Sequence, residues 1–342
     1  MRSFNFNELR SSIINNIECR LINYKGKSYH DEKFILRESY VNNNGYILIK
    51  NKVFDNIEFK TVKFENITFL NCSFKNCIFY ESNFENAIFS NCDFENSIFK
   101  NIKFNELIID KCKLKNSTFL ECSFKILAFS DCDCRSFKFV CCEVFEFDFN
   151  DNLITKFDED TFFDNNFRFD KLDKNEKIIF YDESYRFYKK ISYKFQQNNL
   201  LDAYGEYYYL SRLMERKNLS GINKLKSIVL WFICGYGERP TYALFTCLEV
   251  IFIFAILYMF FGINSGGEII SYTEVITQSK SIRSIINDFI TAFHFSIVTF
   301  TTVGYGDITP LGYSVFLSGI EMFLGVTLGG LWTATLARKI SR

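Results

Sequence analysis

From Phe54 to Phe149 an apolar residue returns at every fifth position, and this spacing limits the possible folds more than any other feature of the chain. Sixteen of the 20 positions in this phase are Phe, where 42 phenylalanines spread over 342 residues would place about 2.5 by chance. Two places before each Phe stands a small or apolar residue, as at Ile57, Val62, Ile67, Cys72, Cys77, Ala87 and Cys92. Two places after it stands mostly Asn or an acid, as at Asn66, Asn71, Asn76, Asn86 and Asn91. A period of five fits neither a strand, with period 2, nor a helix, with period 3.6. It fits a chain that turns a corner every five residues, where Asn and Asp side chains bond the nearby backbone. Four corners close a square coil of about 20 residues, and five such coils stack to roughly 24 Å at the spacing of paired strands.

The same phase accounts for most of the 12 cysteines. Cys72, Cys77, Cys92, Cys112, Cys122, Cys132 and Cys142 take the small interior position and Cys134 a Phe position, so they read as small buried hydrophobes. The stretch from Met1 to Asn16 has no basic segment leading into an apolar run, which points to reduced thiols. A metal centre at Cys132, Cys134, Cys141 and Cys142 is the competing reading, but the repeat already explains most of that cluster. The chain has only two histidines, His30 and His294, for a His-built centre. No hydrolytic constellation is visible, so no enzyme and no organic cofactor are expected.

Over roughly residues 46–151 these residues resemble the pentapeptide-repeat family. The resemblance implies a right-handed quadrilateral β-solenoid with Phe filling its axis. Some members of that family resemble DNA and bind topoisomerases through strongly acidic surfaces. Residues 50–151 hold 16 acids and 13 bases, which does not favour that role. The whole chain balances 40 basic against 40 acidic residues, so a nucleic-acid partner is not expected either. Residues 1–45 read as a cap or lead-in to the first coil.

Residues 152–238 read as a helical connector. Tyr185, Tyr188, Ile191 and Phe195 share one face of a helix over 183–197, and Ala203, Tyr207, Leu210 and Met214 share one face of a second over 200–217. The pair looks like a single tetratricopeptide-like hairpin, too small to stand alone, so it must pack on something. Its place in the chain suits a structural connector first, and a site for an unknown ligand or protein second.

Residues 239–342 differ in kind. Two apolar runs, 241–263 and 312–336, carry one charge each, Glu249 and Glu321, and are long enough to span a lipid bilayer. Between them, after an apolar helix expected over 287–301, stands Thr302-Val303-Gly304-Tyr305-Gly306, flanked by Thr301 and Asp307. This arrangement resembles the two-span potassium-channel pore, whose filter replaces the ion's hydration shell with backbone carbonyls. The resemblance implies potassium held at Thr302, Val303, Gly304 and Tyr305, with Val303 and Tyr305 side chains turned away. Thr301 and Asp307 would support the loop, and Gly325 would be the hinge of the inner helix, with Gly329 and Gly330 as competing positions. One copy of the loop per chain implies a homotetramer.

Two departures from the pattern stand out. The position four before Thr302, where many such pores carry Glu, is Val298, so Asp307 lacks that carboxylate partner. Gly-Tyr-Gly at 235–237 has no helix like that of a pore before it and reads instead as the entry to the first span. Glu249 and Glu321 are either functional acids inside the membrane or hydrogen-bonding groups between spans. His294 reads as a packing residue of the pore helix.

Arg212, Arg216, Lys217, Lys224, Lys226 and Arg239 precede the first span and Arg338, Lys339 and Arg342 follow the second, against Lys280 and Arg283 between them. That bias puts both termini in the cytoplasm, with Trp231 and Trp332 near the inner interface. The sequence therefore reads as a multidomain chain: solenoid, helical hairpin connector and all-α two-span pore. The expected function is passive potassium conduction, regulated or assembled by the cytoplasmic part. The rival is a membrane-tethered interaction scaffold with a non-conducting pore.

Overall fold

The structure, a computed structural model, describes residues 6–29, 40–41, 47–165, 173–272 and 281–342. His30 and Lys280 lie outside the described residues, as do 1–5, 30–39 and 42–45 of the lead-in. The chain divides into two compact units, Met1–Leu219 and Ser220–Arg342.

In the first unit the five-residue period becomes a β-solenoid of about six turns. Parallel strands pair in a 20-residue register, Phe59 beside Phe79 and Phe99 beside Phe119 on one side, Phe64 beside Phe84 and Phe104 beside Phe124 on another. A third side is a column of single bridges through Val53, Ser73, Asp93, Lys113 and Asp133. The ladders run past residues 46–151 at both ends. Lys27–Tyr29 pairs with the strand Ile57–Lys60, and Phe162–Phe163 pairs with Lys138–Val140. Inside, Phe rings stack from coil to coil, with centroids 4.8 Å apart for Phe59–Phe79 and 4.7 Å for Phe79–Phe99.

The corners explain the residue two places after each Phe. From Asn51 to Cys141 that position takes a left-handed backbone in every repeat except at Glu106 and Ile126. Asn tolerates this conformation better than other side chains. Its amides also bond along the stack: Asn71 Nδ2 donates to Asn51 Oδ1 (3.1 Å) and Asn91 Nδ2 to Asn71 Oδ1 (2.8 Å). The cysteines do a parallel job inside. The thiols at the small interior position reach a carbonyl of the coil before, Cys77 to Phe54 at 3.0 Å and Cys132 to Ile109 at 3.2 Å. Burial pushes the Cys77 and Cys132 thiols up to about 12, which keeps them protonated and unreactive.

Helix α1, Phe6–Ile22, runs along one outer face of the solenoid and does not close the first coil. Ile13 and Ile17 bury against the outward residues Ile78, Ile98, Leu120 and Val140 of successive coils. Its ends are tied to different coils, Arg10 to the Asp164 carboxylate (2.6 and 3.0 Å) and Arg20 to the Asn96 carbonyl (2.6 Å).

Helices α2 (Lys174–Gln197) and α3 (Leu201–Asn218) close the other end. Phe187 meets Phe147 at 4.8 Å, and Phe195 meets Phe157 and Tyr207 at 4.9 Å each. The Phe163 N–H donates to the Tyr207 hydroxyl (2.7 Å), and Lys190 donates to the Phe147 carbonyl (2.6 Å). The open end of a stack exposes apolar rings and unpaired backbone, and the hairpin covers both.

In the second unit, α4 (Gly221–Cys234) leads through a tight turn at Gly235–Gly237 into the first long apolar helix, α5 (Pro240–Phe261). Helix α6 (Ile282–Phe300) is shorter, and α7 (Tyr313–Ile340) is the second long apolar helix. Both α5 and α7 are long and apolar enough to cross a membrane. The three helices share a core of Phe254, Tyr258, Ala292, Phe295 and Ile308 at one level and of Cys247, Ile251, Phe300 and Leu328 at another. A small antiparallel sheet joins Ile263–Ser265 to Glu268–Ile270 on one side and Ile308–Pro310 on the other.

Candidate functional site

The candidate loop begins where α6 ends. Thr301 caps the helix, and the N–H groups of Thr301 and Val303 donate to the carbonyls of Ile297 (2.9 Å) and Val298 (3.0 Å). The loop backbone therefore grows directly out of the last turn of α6, where the helix dipole is negative. On the far side, Ile308 pairs with Ser265 in the small sheet, which anchors the loop exit to the chain just after α5.

Within the loop the backbone alternates. Thr302 (φ 58°), Gly304 (60°) and Gly306 (83°) are left-handed, while Val303 and Tyr305 are not. A Cβ added at Gly304 or Gly306 would meet nothing within 4 Å, so glycine serves the backbone conformation at these positions and not a steric gap. The Thr302 hydroxyl donates to the Thr301 carbonyl at 2.7 Å, which leaves its lone pairs open. All of 301–307 is exposed in the single chain, Val303 at 55% and Tyr305 at 70%. Tyr305 faces His294 of α6 with nearly parallel rings 6.3 Å apart. Asp307 makes no side-chain hydrogen bond or ion pair among the described residues, and Val298 is buried in the core.

Gly325 lies where α7 passes the end of α6. A Cβ there would stand 1.9 Å from the Phe300 carbonyl oxygen, whereas Gly329 and Gly330 face open space. Gly325 is thus a point of close approach in an unbroken helix. The two acids within the spans part ways. Glu249 is exposed between Phe245, Leu248, Phe252 and Ile253. Glu321 is fully buried, accepting from the Tyr258 hydroxyl (2.6 Å) and from Ser296. Sequence reading singled out Glu321 but neither hydroxyl, because they come from separate helices. It also passed over Glu238, which is buried in the turn before α5 against Arg338 (2.7 Å) and Arg342 (2.6 Å) at the end of α7.

Comparison with known proteins agrees with this division. The family of pentapeptide repeats (9 copies) matches residues 54–98 and 64–107, and the ion channel family matches residues 245–342. A calcium-gated potassium channel of Thermoplasma volcanium, TvoK, is 41% identical over 70 residues, 20% of this chain and 20% of that protein. The chain thus spans about a fifth of this curated relative. Two structures of QnrB1, a plasmid-mediated fluoroquinolone resistance protein, are 16% and 18% identical, covering 36% and 29% of this chain and 67% and 66% of those chains. Their TM-scores are 0.23 and 0.18. The chain thus joins a solenoid that matches the pentapeptide-repeat family to a helical unit with two candidate membrane spans that matches the ion channel family.

Proposed function

We propose that this chain is one subunit of a homotetrameric potassium channel, with residues 239–342 as the pore and Thr302–Gly306 as the selectivity filter. The observation that carries this is the loop itself: five residues of alternating handedness, fully exposed in one chain, clamped between α6 and the small sheet and lying between two apolar helices. Alternating handedness turns successive peptide groups the same way, so a run of carbonyls faces one side. One such strand cannot surround a cation, whereas four around an axis replace its hydration shell. Potassium would bind at Thr302, Val303, Gly304 and Tyr305, and Thr301 and Asp307 would flank the sites. The exposed Val303 and Tyr305 side chains are the surfaces that neighbouring subunits would cover. Gly325 acts in gating by letting α7 approach the pore helix, and its place one turn beyond Glu321 suits a hinge.

The basic residues flanking the spans put both termini in the cytoplasm, so the solenoid and its hairpin form a cytoplasmic domain over residues 1–219 that regulates or assembles the pore. Purified protein in liposomes tests the reading. It should pass potassium and not sodium, and Gly304→Ala should abolish that flux while the tetramer survives. Equal fluxes of both ions, or selective flux through Gly304→Ala, would defeat the filter assignment. A tetramer that passes neither ion would favour a membrane-tethered scaffold.

A further inference from the structure

Resting on the filter reading above, we propose that Glu321 is a positioning residue for the filter, fastening the pore helix α6 to both spanning helices. The need for such a fastening is visible in the loop. Asp307 has no side-chain partner among the described residues, and Val298, directly behind the filter, offers no polar group. The exit of the filter is held by the small sheet, and its entry is held through α6.

Three polar side chains converge where α5, α6 and α7 meet, each of them buried: Tyr258, Ser296 and Glu321. The Tyr258 hydroxyl lies 2.6 Å from Glu321 Oε2, and Ser296 Oγ contacts Glu321 Oε1. Ser296 Oγ also lies 2.8 Å from the Ile251 carbonyl of α5. In an apolar bundle a sliding helix would strand these buried groups without partners, at the full cost of their lost hydration. Van der Waals packing alone allows small shifts at far lower cost.

The contact is one half of a two-point seat. Glu321 meets Ser296, and one turn further along both helices Gly325 meets the Phe300 carbonyl. Residues four apart on α7 thus grip residues four apart on α6, which fixes both its slide and its rotation. The position of α6 passes to the filter through backbone bonds, because the Val303 N–H donates to the Val298 carbonyl at 3.0 Å. A carboxylate from the inner helix thereby braces the loop at one remove, through the helix from which the loop grows.

Planar-bilayer recordings of the full-length channel test this with Glu321→Leu, Glu321→Gln and Ser296→Ala. Glu321→Leu should change the sodium-to-potassium permeability ratio, or the rate of current decay in low potassium, by about tenfold. Glu321→Gln can still accept from Tyr258 and hold Ser296 through its amide, so both readouts should stay within about twofold of wild type. Ser296→Ala should shift the readouts in the direction of Glu321→Leu, and it stands in if that variant does not assemble. Intact tetramers of Glu321→Leu or Ser296→Ala with both readouts unchanged overturn the inference. A wild-type channel that does not select potassium would instead defeat the filter reading itself, so the two failures are distinguishable.

Discussion

Asn71 shows how much one corner residue does. Its backbone is left-handed (φ 54°), its amide donates to Asn51 and its carbonyl oxygen accepts from Asn91. Asn71→Val should destabilise the solenoid by about 2–3 kcal/mol, because a β-branched side chain resists this conformation and two ladder bonds disappear. Asn71→Gly relieves the backbone and loses only the ladder, so about 1 kcal/mol is expected. Urea denaturation measures both, and equal losses for Val and Gly would show that the backbone conformation contributes nothing. The Phe and Asn columns were legible because each repeat restates the same local requirement. The amide ladder was not, since it joins residues one full coil apart. Thr61, Glu81 and Lys111 adopt the same left-handed corner without being Asn. The stacked Phe core therefore imposes the corner, and Asn is the residue that suits it best.

The hairpin α2–α3 binds the solenoid through polar contacts as well as rings, and one of these makes its docking depend on pH. Lys194 donates to Asp151 at 2.7 Å, with both side chains largely buried, and Thr155 supplies two further bonds to the same carboxylate. Burial alone would raise the Asp151 pKa, but the bonds from Lys194 and Thr155 outweigh it and hold the carboxyl below its usual range. A depressed carboxylate adds stability above its unfolded pKa, near 4, and loses it as pH falls through the folded value. The first unit should therefore lose stability more steeply below about pH 4 in wild type than in Asp151→Asn. Parallel acid-unfolding curves for the two would contradict this. The hairpin itself was legible from helical spacing, but not the start of its first helix, expected at 183. Helix α2 starts at Lys174, where Asp173 and Glu176 form a capping box that the sequence displays plainly. Its partner surface was beyond sequence reading, because the last coil leaves the five-residue phase before Phe162–Phe163 completes it. The same limit hid the Tyr258–Ser296–Glu321 junction. The filter motif is contiguous and could be read at once, while its brace is assembled from three helices.

The chain passes from the first unit to the second through Leu219 and Ser220, and α4 is the first helix of the second unit. Helix α4 ends in the Gly235–Gly237 turn, and the next residue, Glu238, is buried and clamped by Arg338 (2.7 Å) and Arg342 (2.6 and 3.2 Å). These arginines are on the last turn of α7 and just beyond it, the end that must move if the inner helices are to part. In the proposed channel, a pull along the chain at α4 would reach the end of α7 through these three charged side chains. Breaking one partner of a buried ion pair costs about 3–5 kcal/mol when the other is left uncompensated. Glu238→Gln should therefore raise amide hydrogen exchange in the last turns of α7, from Trp332 to Ile340, and leave the Tyr258–Glu321 level protected. The functional consequence is sharper. Removing residues 1–219 should change open probability in the wild-type pore and change it much less in Glu238→Gln, with single-channel conductance equal in both, because the proposed filter grows from α6, which meets α7 at Glu321 and Gly325, away from its last turns. If the truncation alters Glu238→Gln as strongly as wild type, the coupling runs by another route.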